Sequence, residues 1–394
     1  MSRPRDPWAF QGLEEEARIC ARCGSCRGIC PTHAQVGWES SSPRARVLLA
    51  RELAGGAGAG KVPPEAVRRA LECTLCGGCR EACPAGIDTR TFLLTLRERL
   101  RERGLDPEAY RLLAANLAAR GNVSPFDNRL RADWVEELED PAAIAGAGEP
   151  AEVGYFVGCV SSFYPAVSDI PLGVAALIGR MGKRVAILGE EELCCGFPLL
   201  LAGRPDEARG LMGRNLERVA RLGVRTLVTG CPSCYHTWTH DYPAAAGGPL
   251  PARVVHFTEY LLECLRAGAL DLGEAEPLEE TVTYHDPCDL GRNSGLYEAP
   301  RELLRALPGV RFVEMERCRE EALCCGGGGN LQSLDPELTR GIAAERVAEA
   351  RATGATVLTS ACQQCVQVLA EAARRTKAPL RVVDLAVLWA ERFE

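Results

Sequence analysis

This 394-residue chain lacks any run of apolar residues as long as the roughly 18 to 20 that cross a bilayer. Residues 1–8 contain no apolar stretch of the kind found in signal peptides, so we do not expect export. Positive charge is also in deficit: 46 Lys and Arg against 53 Asp and Glu give a net charge of −7. A general nucleic-acid role therefore has no electrostatic support. We expect a cytoplasmic protein that could lie peripherally on the inner face of a membrane, held there by a partner.

Signatures of nucleotide cofactors are missing as well. No G-x-G-x-x-G follows a strand-like run, and no Walker lysine is present, although residues 326–329 are all glycine. We therefore expect neither a flavin nor an NAD site in this chain. The partners that would supply two-electron chemistry are a flavoprotein subunit, membrane or soluble electron-transfer subunits, or both.

Cysteine, in contrast, is abundant: the chain has 20 of them. In a cytoplasmic protein, grouped cysteines are more often metal-binding or catalytic than paired in disulfides. All but Cys264 and Cys318 fall into four blocks of regular spacing. We expect these two exceptions to be small apolar packing residues.

The two blocks nearest the N-terminus share the spacing C-x2-C-x2-C-x3-C-P. In two-cluster ferredoxins with this spacing, the fourth cysteine of each block ligates the other cluster. The exchange predicts one cubane [4Fe–4S] cluster on Cys20, Cys23, Cys26 and Cys83, and a second on Cys73, Cys76, Cys79 and Cys30. A pair of zinc sites is the alternative, because C-x2-C also suits tetrahedral zinc. Four cysteines at this spacing followed by proline, twice, exceed what zinc needs.

The remainder of the chain is an internal duplication. Each copy contains a single cysteine, then C-C-G, then C-x-x-C, with five cysteines in all. Short β-branched runs alternate with helical stretches in both copies, which predicts parallel sheets with helices outside. Ligands of such sheets bind beyond the carboxyl ends of the strands, and several of these cysteines directly follow strand-like runs. The candidate metal ligands are Cys159, Cys194, Cys195, Cys231 and Cys234 in the first copy, and Cys288, Cys324, Cys325, Cys362 and Cys365 in the second.

This order of motifs resembles the D-type subunit of heterodisulfide reductases and, equally, the iron–sulfur subunits of glycolate and lactate oxidases. Both groups carry cysteine-rich CCG domains. The resemblance implies an α/β protein overall, with an all-helical two-cluster ferredoxin domain at 1–140 and a linker at 141–152. Two duplicated α/β CCG domains would follow, at 153–272 and 280–394. In heterodisulfide reductases a CCG domain holds a noncubane [4Fe–4S] centre, so we expect one or two further clusters here.

Two functions remain open on these grounds. In the first, the chain is an iron–sulfur electron-transfer subunit of a multi-subunit oxidoreductase. It would relay single electrons between cubane and CCG-domain clusters, with a flavoprotein 2-hydroxyacid dehydrogenase of the glycolate or lactate type as partner. In the second, it is a heterodisulfide-reductase-like catalytic subunit that cleaves a disulfide at a noncubane cluster. A zinc scaffold for partner assembly is the non-redox alternative.

Several residues beside the blocks could take part in chemistry. His33, His236 and His285 could each tune a cluster or donate a proton near neutral pH, or could be histidines without chemistry. His285 and Asp286 are the stronger candidates, because they precede Cys288 in a strand-end loop. For Arg292 we expect a solvated side chain rather than an anion site.

The flanks of the two C-C-G motifs differ. Residues 326–329 are glycines that would admit a close approach of backbone or ligand, whereas Phe197 and Pro198 would enclose the first site with apolar bulk. We therefore favour the second copy as the more accessible and catalytic site; a mere packing difference is the alternative.

Overall fold

The computed structural model describes residues 12–54, 62–146 and 149–393. Residues 1–8, for which we expect no signal peptide, lie outside these ranges, as do residues 147–148 of the predicted linker. None of the helices in the described ranges combines the length and apolar character needed to span a membrane.

The N-terminal part of the described chain is helical. Its longest helix, Thr89–Glu102, begins where the Asp88 carboxylate accepts the N–H of Thr91. This helix buries Phe92, Leu96 and Leu100 at spacings of four, which places them on one face toward the domain core. The helices are α1 Leu13–Ile19, α2 Pro31–Val36, α3 Pro43–Ala54, α4 Pro64–Leu71, α5 Gly78–Glu81, α6 Thr89–Glu102 and α7 Glu108–Arg120.

The first duplicated unit is built on a four-stranded parallel sheet with the strand order β2-β1-β3-β4. Its α12 continues into a π-helical turn, Thr237–Asp241. The elements are β1 Val153–Tyr155, α8 Cys159–Phe163, α9 Asp169–Arg180, β2 Val185–Ile187, α10 Phe197–Leu201, α11 Pro205–Leu222, β3 Thr226–Thr229, α12 Pro232–His236, α13 Tyr242–Ala246, β4 Arg253–His256 and α14 Phe257–Arg266.

The second unit repeats that topology, with the strand order β6-β5-β7-β8, again all parallel. Its elements are β5 Thr281–Tyr284, α15 Glu298–Ala306, β6 Arg311–Val313, α16 Leu331–Leu334, α17 Pro336–Ala352, β7 Val357–Ser360, α18 Gln363–Arg375, β8 Arg381–Asp384 and α19 Leu385–Ala390. The predicted fold class, a helical ferredoxin-like region followed by two α/β units with parallel sheets, is confirmed.

The two α/β units pack against each other in a reciprocal way. Helix α9 of the first unit lies against α19 of the second, and α14 of the first lies against α15 of the second. Since α9 and α15 are equivalent, as are α14 and α19, the interface has the pattern of an isologous dimer within one chain. One apolar core, which includes Val174 and Leu388, runs through both units.

A single buried arginine joins the helical domain to both units. Arg97 of α6 donates through Nη1 to the carbonyl oxygens of Leu201 and Gly329, each at 2.8 Å. Its Nη2 donates to the carbonyl oxygens of Leu71 and Cys73 at 2.9 and 2.7 Å. Four charge-assisted hydrogen bonds to backbone thus hold the second ferredoxin-type block close to both units.

Candidate functional site

One small cavity of the helical domain is lined by the first predicted four-cysteine set, Cys20, Cys23, Cys26 and Cys83. Gly24, between two of these cysteines, has a φ of +84°, a backbone conformation that favours glycine. The Cys23 thiol lies at the surface, 3.3 Å from the Ser25 hydroxyl. Hydrogen bonds from the Ser25 side chain and backbone lower the pKa of Cys23. The set therefore reaches the solvent at Cys23.

A second cavity is lined by the other set, Cys30, Cys73, Cys76 and Cys79. The buried guanidinium of Arg46 places Nη1 3.9 Å from the Cys30 sulfur, and donates from Nη2 to the Thr32 hydroxyl at 3.0 Å. Burial opposes charge on Arg46, but the Cys73 and Cys30 sulfurs raise its pKa above the ordinary value. A permanent cation is thus available to offset the negative charge of a thiolate-rich site.

Both cavities have a donor set that suits a four-iron cluster. All 20 cysteines are described and none forms a disulfide. Each cavity gathers four thiols, three from one block and one from the other, and four thiolates are what a [4Fe–4S] cluster requires. Which thiolates hold iron remains a prediction.

The five cysteines of the first α/β unit come together beyond the carboxyl ends of β1 and β3. Side-chain hydrogen bonds connect them in a chain: Cys159 to Cys194, Cys194 to Cys195, Cys195 to Cys234 and Cys234 to Cys231. Hydrogen bonds from the Cys194 and Cys234 thiols lower the pKa of Cys195. The middle sulfur of the chain is therefore the one that most readily becomes a thiolate.

A buried ion pair lies beside this first site. Arg131, from the segment between α7 and β1, donates to the Cys159 sulfur at 3.3 Å and to the Glu192 carboxylate at 2.7 Å. Arg131 and Glu192 are each 1% exposed. Glu192 also accepts the backbone N–H groups of Val157 and Gly158, at 2.9 and 2.8 Å. Arg131 therefore brings a fixed positive charge to the first site, and Glu192 holds it there.

The second α/β unit repeats the chain of thiols. Hydrogen bonds link Cys288 to Cys324, Cys324 to Cys325, Cys325 to Cys365 and Cys365 to Cys362. The Cys365 and Cys325 sulfurs are 3.2 Å apart. Hydrogen bonds from the Cys324 and Cys365 thiols lower the pKa of Cys325, as happens at its counterpart in the first unit.

The second site also contacts the helical domain. The Cys324 side chain lies against Cys76, a member of the second ferredoxin-type set, and their interaction raises the pKa of Cys76. Arg292 lies beside this contact and donates from Nε to the carbonyl oxygen of Cys76 at 2.8 Å and from Nη1 to that of Ala322 at 2.6 Å. The expectation of a solvated Arg292 is wrong, because its guanidinium is buried and joins the two blocks.

His285 lies against the cysteines of the second site. One of its ring nitrogens falls within a group that includes the Cys325 and Cys365 sulfurs, with all three atoms within 4.8 Å of one another. Arg346 donates to Nδ1 of His285 at 3.0 Å. Burial, followed by the Arg346 charge, lowers the pKa of His285 well below its usual value. A neutral ring that accepts at Nδ1 carries its hydrogen on Nε2, so His285 is arranged as a hydrogen-bond donor rather than a metal ligand.

Asp286 has a different role from its neighbour. Its two carboxylate oxygens accept from the Arg301 guanidinium at 2.7 and 2.8 Å, and one accepts the N–H of Arg319 at 2.9 Å. Burial opposes the charged form, but the Arg301 hydrogen bonds prevail and lower the pKa of Asp286. A carboxylate so fully occupied anchors the loop that holds Cys288.

The glycine run beside the second site is occupied by backbone. A Cβ on Gly328 would lie 2.7 Å from the Thr74 carbonyl oxygen, and one on Gly329 would lie 2.1 Å from that of Cys73. The close approach that these glycines admit is therefore made by the second ferredoxin-type block. Each unit has one half-buried cysteine, Cys231 or Cys288, with the other four buried. The packing alternative accounts for the glycines, and the second site is not the more open one.

A cavity of about 450 Å³ lies where the helical domain and both α/β units meet. Its wall includes His236 and His240, whose rings stack with centroids 4.2 Å apart. Asp241 also lines it, and burial raises the pKa of this carboxyl to about 6. Arg90 Nε and Asn293 Oδ1 are buried there without a hydrogen-bond partner among the described residues. The cavity is thus of ligand size, and titratable side chains line it.

The remaining candidates lie outside the four cysteine sets. Cys264 is buried near Lys183, whose Nζ is 3.4 Å from its sulfur, and Cys318 is half-buried. His33 is half-buried beside the first set. The sequence analysis did not predict Arg131 and Glu192 as site residues. One difference between the copies could have drawn attention to Glu192: the equivalent position in the second copy is Ala322.

Comparison with known proteins identifies two kinds of domain in this chain. Residues 153–238 and 282–370 match the cysteine-rich CCG domain, and residues 19–88 match a 4Fe-4S dicluster domain. The D-type subunit of the dihydromethanophenazine:CoB--CoM heterodisulfide reductase of Methanosarcina barkeri is 32% identical to this chain, over 97% of the chain and 95% of the relative.

Two other relatives are longer proteins. A probable iron-sulfur-binding oxidoreductase of Bacillus subtilis, FadF, is 30% identical over 81% of this chain and 46% of its own length. An EtfAB:quinone oxidoreductase of Syntrophomonas wolfei is 29% identical over the same shares, 81% and 46%. The family matches support iron–sulfur clusters both in the helical domain and in the α/β units.

Proposed function

This chain belongs to the family of iron–sulfur oxidoreductase subunits that includes the D-type subunit of heterodisulfide reductases, and from that membership we propose that it is an electron relay. It would carry single electrons between two cubane [4Fe–4S] clusters and one or two clusters of the CCG domains. The partner we propose is a flavoprotein 2-hydroxyacid dehydrogenase of the glycolate or lactate type. We place the work in the cytoplasm, or at the inner membrane face through a partner.

The observation that carries this proposal is the contact between Cys76 and Cys324. One belongs to the second ferredoxin-type set and the other to the second CCG site, so the two ligand sets touch. Arg97 and Arg292 hold the blocks together through backbone carbonyl oxygens. Iron–sulfur clusters, when bound, supply one-electron chemistry at potentials set by charge, hydrogen bonds and exposure. The protein would contribute a short distance between the two ligand sets and a buried junction from which water is largely excluded.

The test begins with the tagged chain, purified anaerobically together with whatever it binds. Iron and acid-labile sulfide of about sixteen each per chain are expected for four four-iron clusters. A bound flavin should accompany the complex, and adding glycolate or lactate should produce the EPR signals of reduced clusters. A flavin-free preparation whose signals never respond to a 2-hydroxyacid would refute the dehydrogenase partner.

The cavity at the domain junction favours a second function, cleavage of a disulfide. A volume of about 450 Å³ is within the usual range of small-molecule sites. His236 is two residues from Cys234, and the N–H of Asn293 donates to the Cys288 carbonyl oxygen at 3.0 Å. A substrate in this cavity would therefore lie beside both CCG sites. Arg90 would bind an anionic end, and Asp241, whose pKa burial raises to about 6, would donate a proton to a thiol that forms in mildly acidic solution.

The two functions are separable by anaerobic EPR with a thiol substrate under oxidising conditions. Disulfide chemistry predicts a substrate-dependent paramagnetic signal that Cys324→Ser abolishes. It also predicts that Arg90→Gln raises the KM for an anionic disulfide while kcat changes little, because the arginine would act in binding. A paramagnetic signal that does not depend on substrate would rule out disulfide cleavage and leave electron relay as the function.

A further inference from the structure

The mouth of the first four-cysteine cavity forms a distinct surface. Among the 20 cysteines, Cys23 is the exposed one. Trp38, which is 72% exposed and is the most exposed large apolar side chain among the described residues, is linked to the loop that carries Cys23 through His33 and Arg27. Arg22 and Arg27 are exposed on the same loop as Cys23. We call the group of Arg22, Cys23, Arg27 and Trp38 the Trp38 surface.

Hydrogen bonds hold this surface together. Arg27 donates from Nε to Nε2 of His33 at 3.2 Å, and Nδ1 of His33 is 3.1 Å from the Trp38 carbonyl oxygen. Arg44, on the wall of the cavity, donates to the carbonyl oxygen of Arg22 at 2.9 Å. The backbone at Trp38 is thus tied to the loop that carries Cys23.

The sign of charge here is opposite to that of the whole chain. Arg22 and Arg44 line this cavity, and Arg27 lies on the same loop as Arg22. Among the described residues, Glu39 pairs with Arg27 at 3.3 Å and with Arg44 at 2.8 Å. The chain as a whole has a net charge of −7. A local positive patch on a negative protein selects and orients an acidic face, chiefly by raising the association rate.

We propose that the Trp38 surface is the docking site for an acidic one-electron carrier protein, which exchanges electrons with the chain at the Cys20, Cys23, Cys26 and Cys83 set. This rests on the relay function proposed above and adds where the electron crosses the surface. Tryptophan and arginine are the residues most often dominant in protein–protein binding energy, and here they border the exposed ligand. Two copies of this chain do not pair symmetrically through this surface, because both Trp38 surfaces carry the same positive charge.

The step is a simple electron transfer. The reduced carrier loses one electron, the oxidised site gains it, and no bond is formed or broken. The cysteines of the second set and of both CCG sites are buried or half-buried. The exposed Cys23 therefore gives a protein partner its shortest approach to a ligand sulfur.

The test uses the full cluster-loaded chain and stopped-flow mixing with a pre-reduced plant-type ferredoxin, an acidic [2Fe–2S] carrier. The double variant Arg22→Glu/Arg27→Glu should slow the second-order rate at low ionic strength by roughly 10-fold or more, and the difference should vanish in high salt. Trp38→Ala should slow it about 5-fold at every salt concentration. Matched controls are Arg214→Glu on α11 and Leu112→Ala on α7, both exposed sites far along the chain.

Reduction by methyl viologen radical separates this proposal from the relay itself. In high salt all variants should accept electrons from the viologen at the wild-type rate, since a small dye needs no docking face and its positive charge is screened there. If the viologen reduces every variant and ferredoxin does so without regard to the substitutions, the docking site is wrong and the relay stands. If no cluster signal is reducible by viologen, the relay fails first. Loss of anionic-vesicle binding in the variants, with unchanged ferredoxin rates, would make the surface a membrane contact and overturn the proposal.

Discussion

The two CCG units hold the same chain of five thiols, and they differ in what lies beside it. In the first unit the neighbour is the Arg131–Glu192 ion pair, which contacts Cys159. In the second unit it is Cys76 of the helical domain, which contacts Cys324. Duplication therefore preserved the ligand geometry while the surroundings diverged. The difference teaches that one arrangement of thiols is kept in two surroundings: the second site contacts the ferredoxin-type block, and the first has a buried cation beside it.

Single positions account for this divergence. Glu192 of the first unit is replaced by Ala322 in the second, so the second has no carboxylate to hold an arginine there. Phe156 of the first is replaced by His285, which brings a hydrogen-bond donor to the second site. The change from phenylalanine to histidine also requires Arg346, which fixes the ring from the other side.

The largest expected effect comes from removing one site at a time. Cys325→Ala/Cys365→Ala should remove about four iron atoms per chain and abolish multi-turnover electron relay, because this site contacts Cys76. The matched pair Cys195→Ala/Cys234→Ala should remove as much iron yet leave transfer into the second site. The measurement is iron content together with freeze-quench EPR of the remaining clusters. Equal loss of transfer in both variants would break the comparison.

Next in size is the loss of the carboxylate that holds Arg131. Glu192→Ala removes the carboxylate partner of a buried guanidinium and leaves two backbone N–H groups without an acceptor, which should lower the free energy of unfolding by about 3–5 kcal/mol. Glu191→Ala is the control: that carboxylate is exposed and pairs with Arg221, so its removal should cost about 0–1 kcal/mol. Anaerobic denaturant unfolding measures both. A similar loss of unfolding free energy in both variants would mean that the buried ion pair stabilises the fold no more than the exposed one does.

The positive charge on Arg131 provides a further difference between the two CCG sites that can be tested. A cation beside a ligand sulfur stabilises the reduced, more negative form of a bound cluster, so Arg131→Met should lower the reduction potential of the first site. An interaction of a few kcal/mol between the Arg131 charge and the added electron corresponds to a shift of roughly 100 mV in the reduction potential. Arg131→Lys keeps the charge and should retain most of the potential. EPR-monitored redox titration should show the second site unmoved in both variants; a shift there as well would contradict the assignment.

The sequence already contained most of the framework. Cysteine spacing predicted both four-cysteine sets, and alternation of β-branched and helical runs predicted the parallel sheets, because both signals are local. The neighbours were not predictable in the same way. Arg131 reaches Cys159 from a segment with no motif, and Arg292 contacts Cys76 although the two are distant in sequence. Such contacts depend on how domains pack, which spacing within one block does not encode.

The smallest effect concerns the N-caps of equivalent helices. Burial lowers the pKa of His256, which caps α14, from its ordinary 6.5 to about 3. Below about pH 6.5 the unfolded chain takes up a proton that the folded chain cannot, so stability falls as the pH falls, by up to about 1.4 kcal/mol per pH unit. His256→Asn keeps a capping side chain and should flatten this loss between pH 6.5 and 5 in anaerobic unfolding.

The second unit supplies the opposite case at the same position. Burial raises the pKa of Asp384, which caps α19, to about 8. Its folded form keeps a proton that the unfolded chain releases above about pH 4, so its stability contribution is lost as the pH rises toward 8. Asp384→Asn should therefore remove a loss of stability that grows as the pH rises from about 4 to about 8, whereas His256→Asn removes a loss that grows as the pH falls. If the two variants change the slope of stability against pH with the same sign, the equivalent caps do not differ in the way that their burial and charge require.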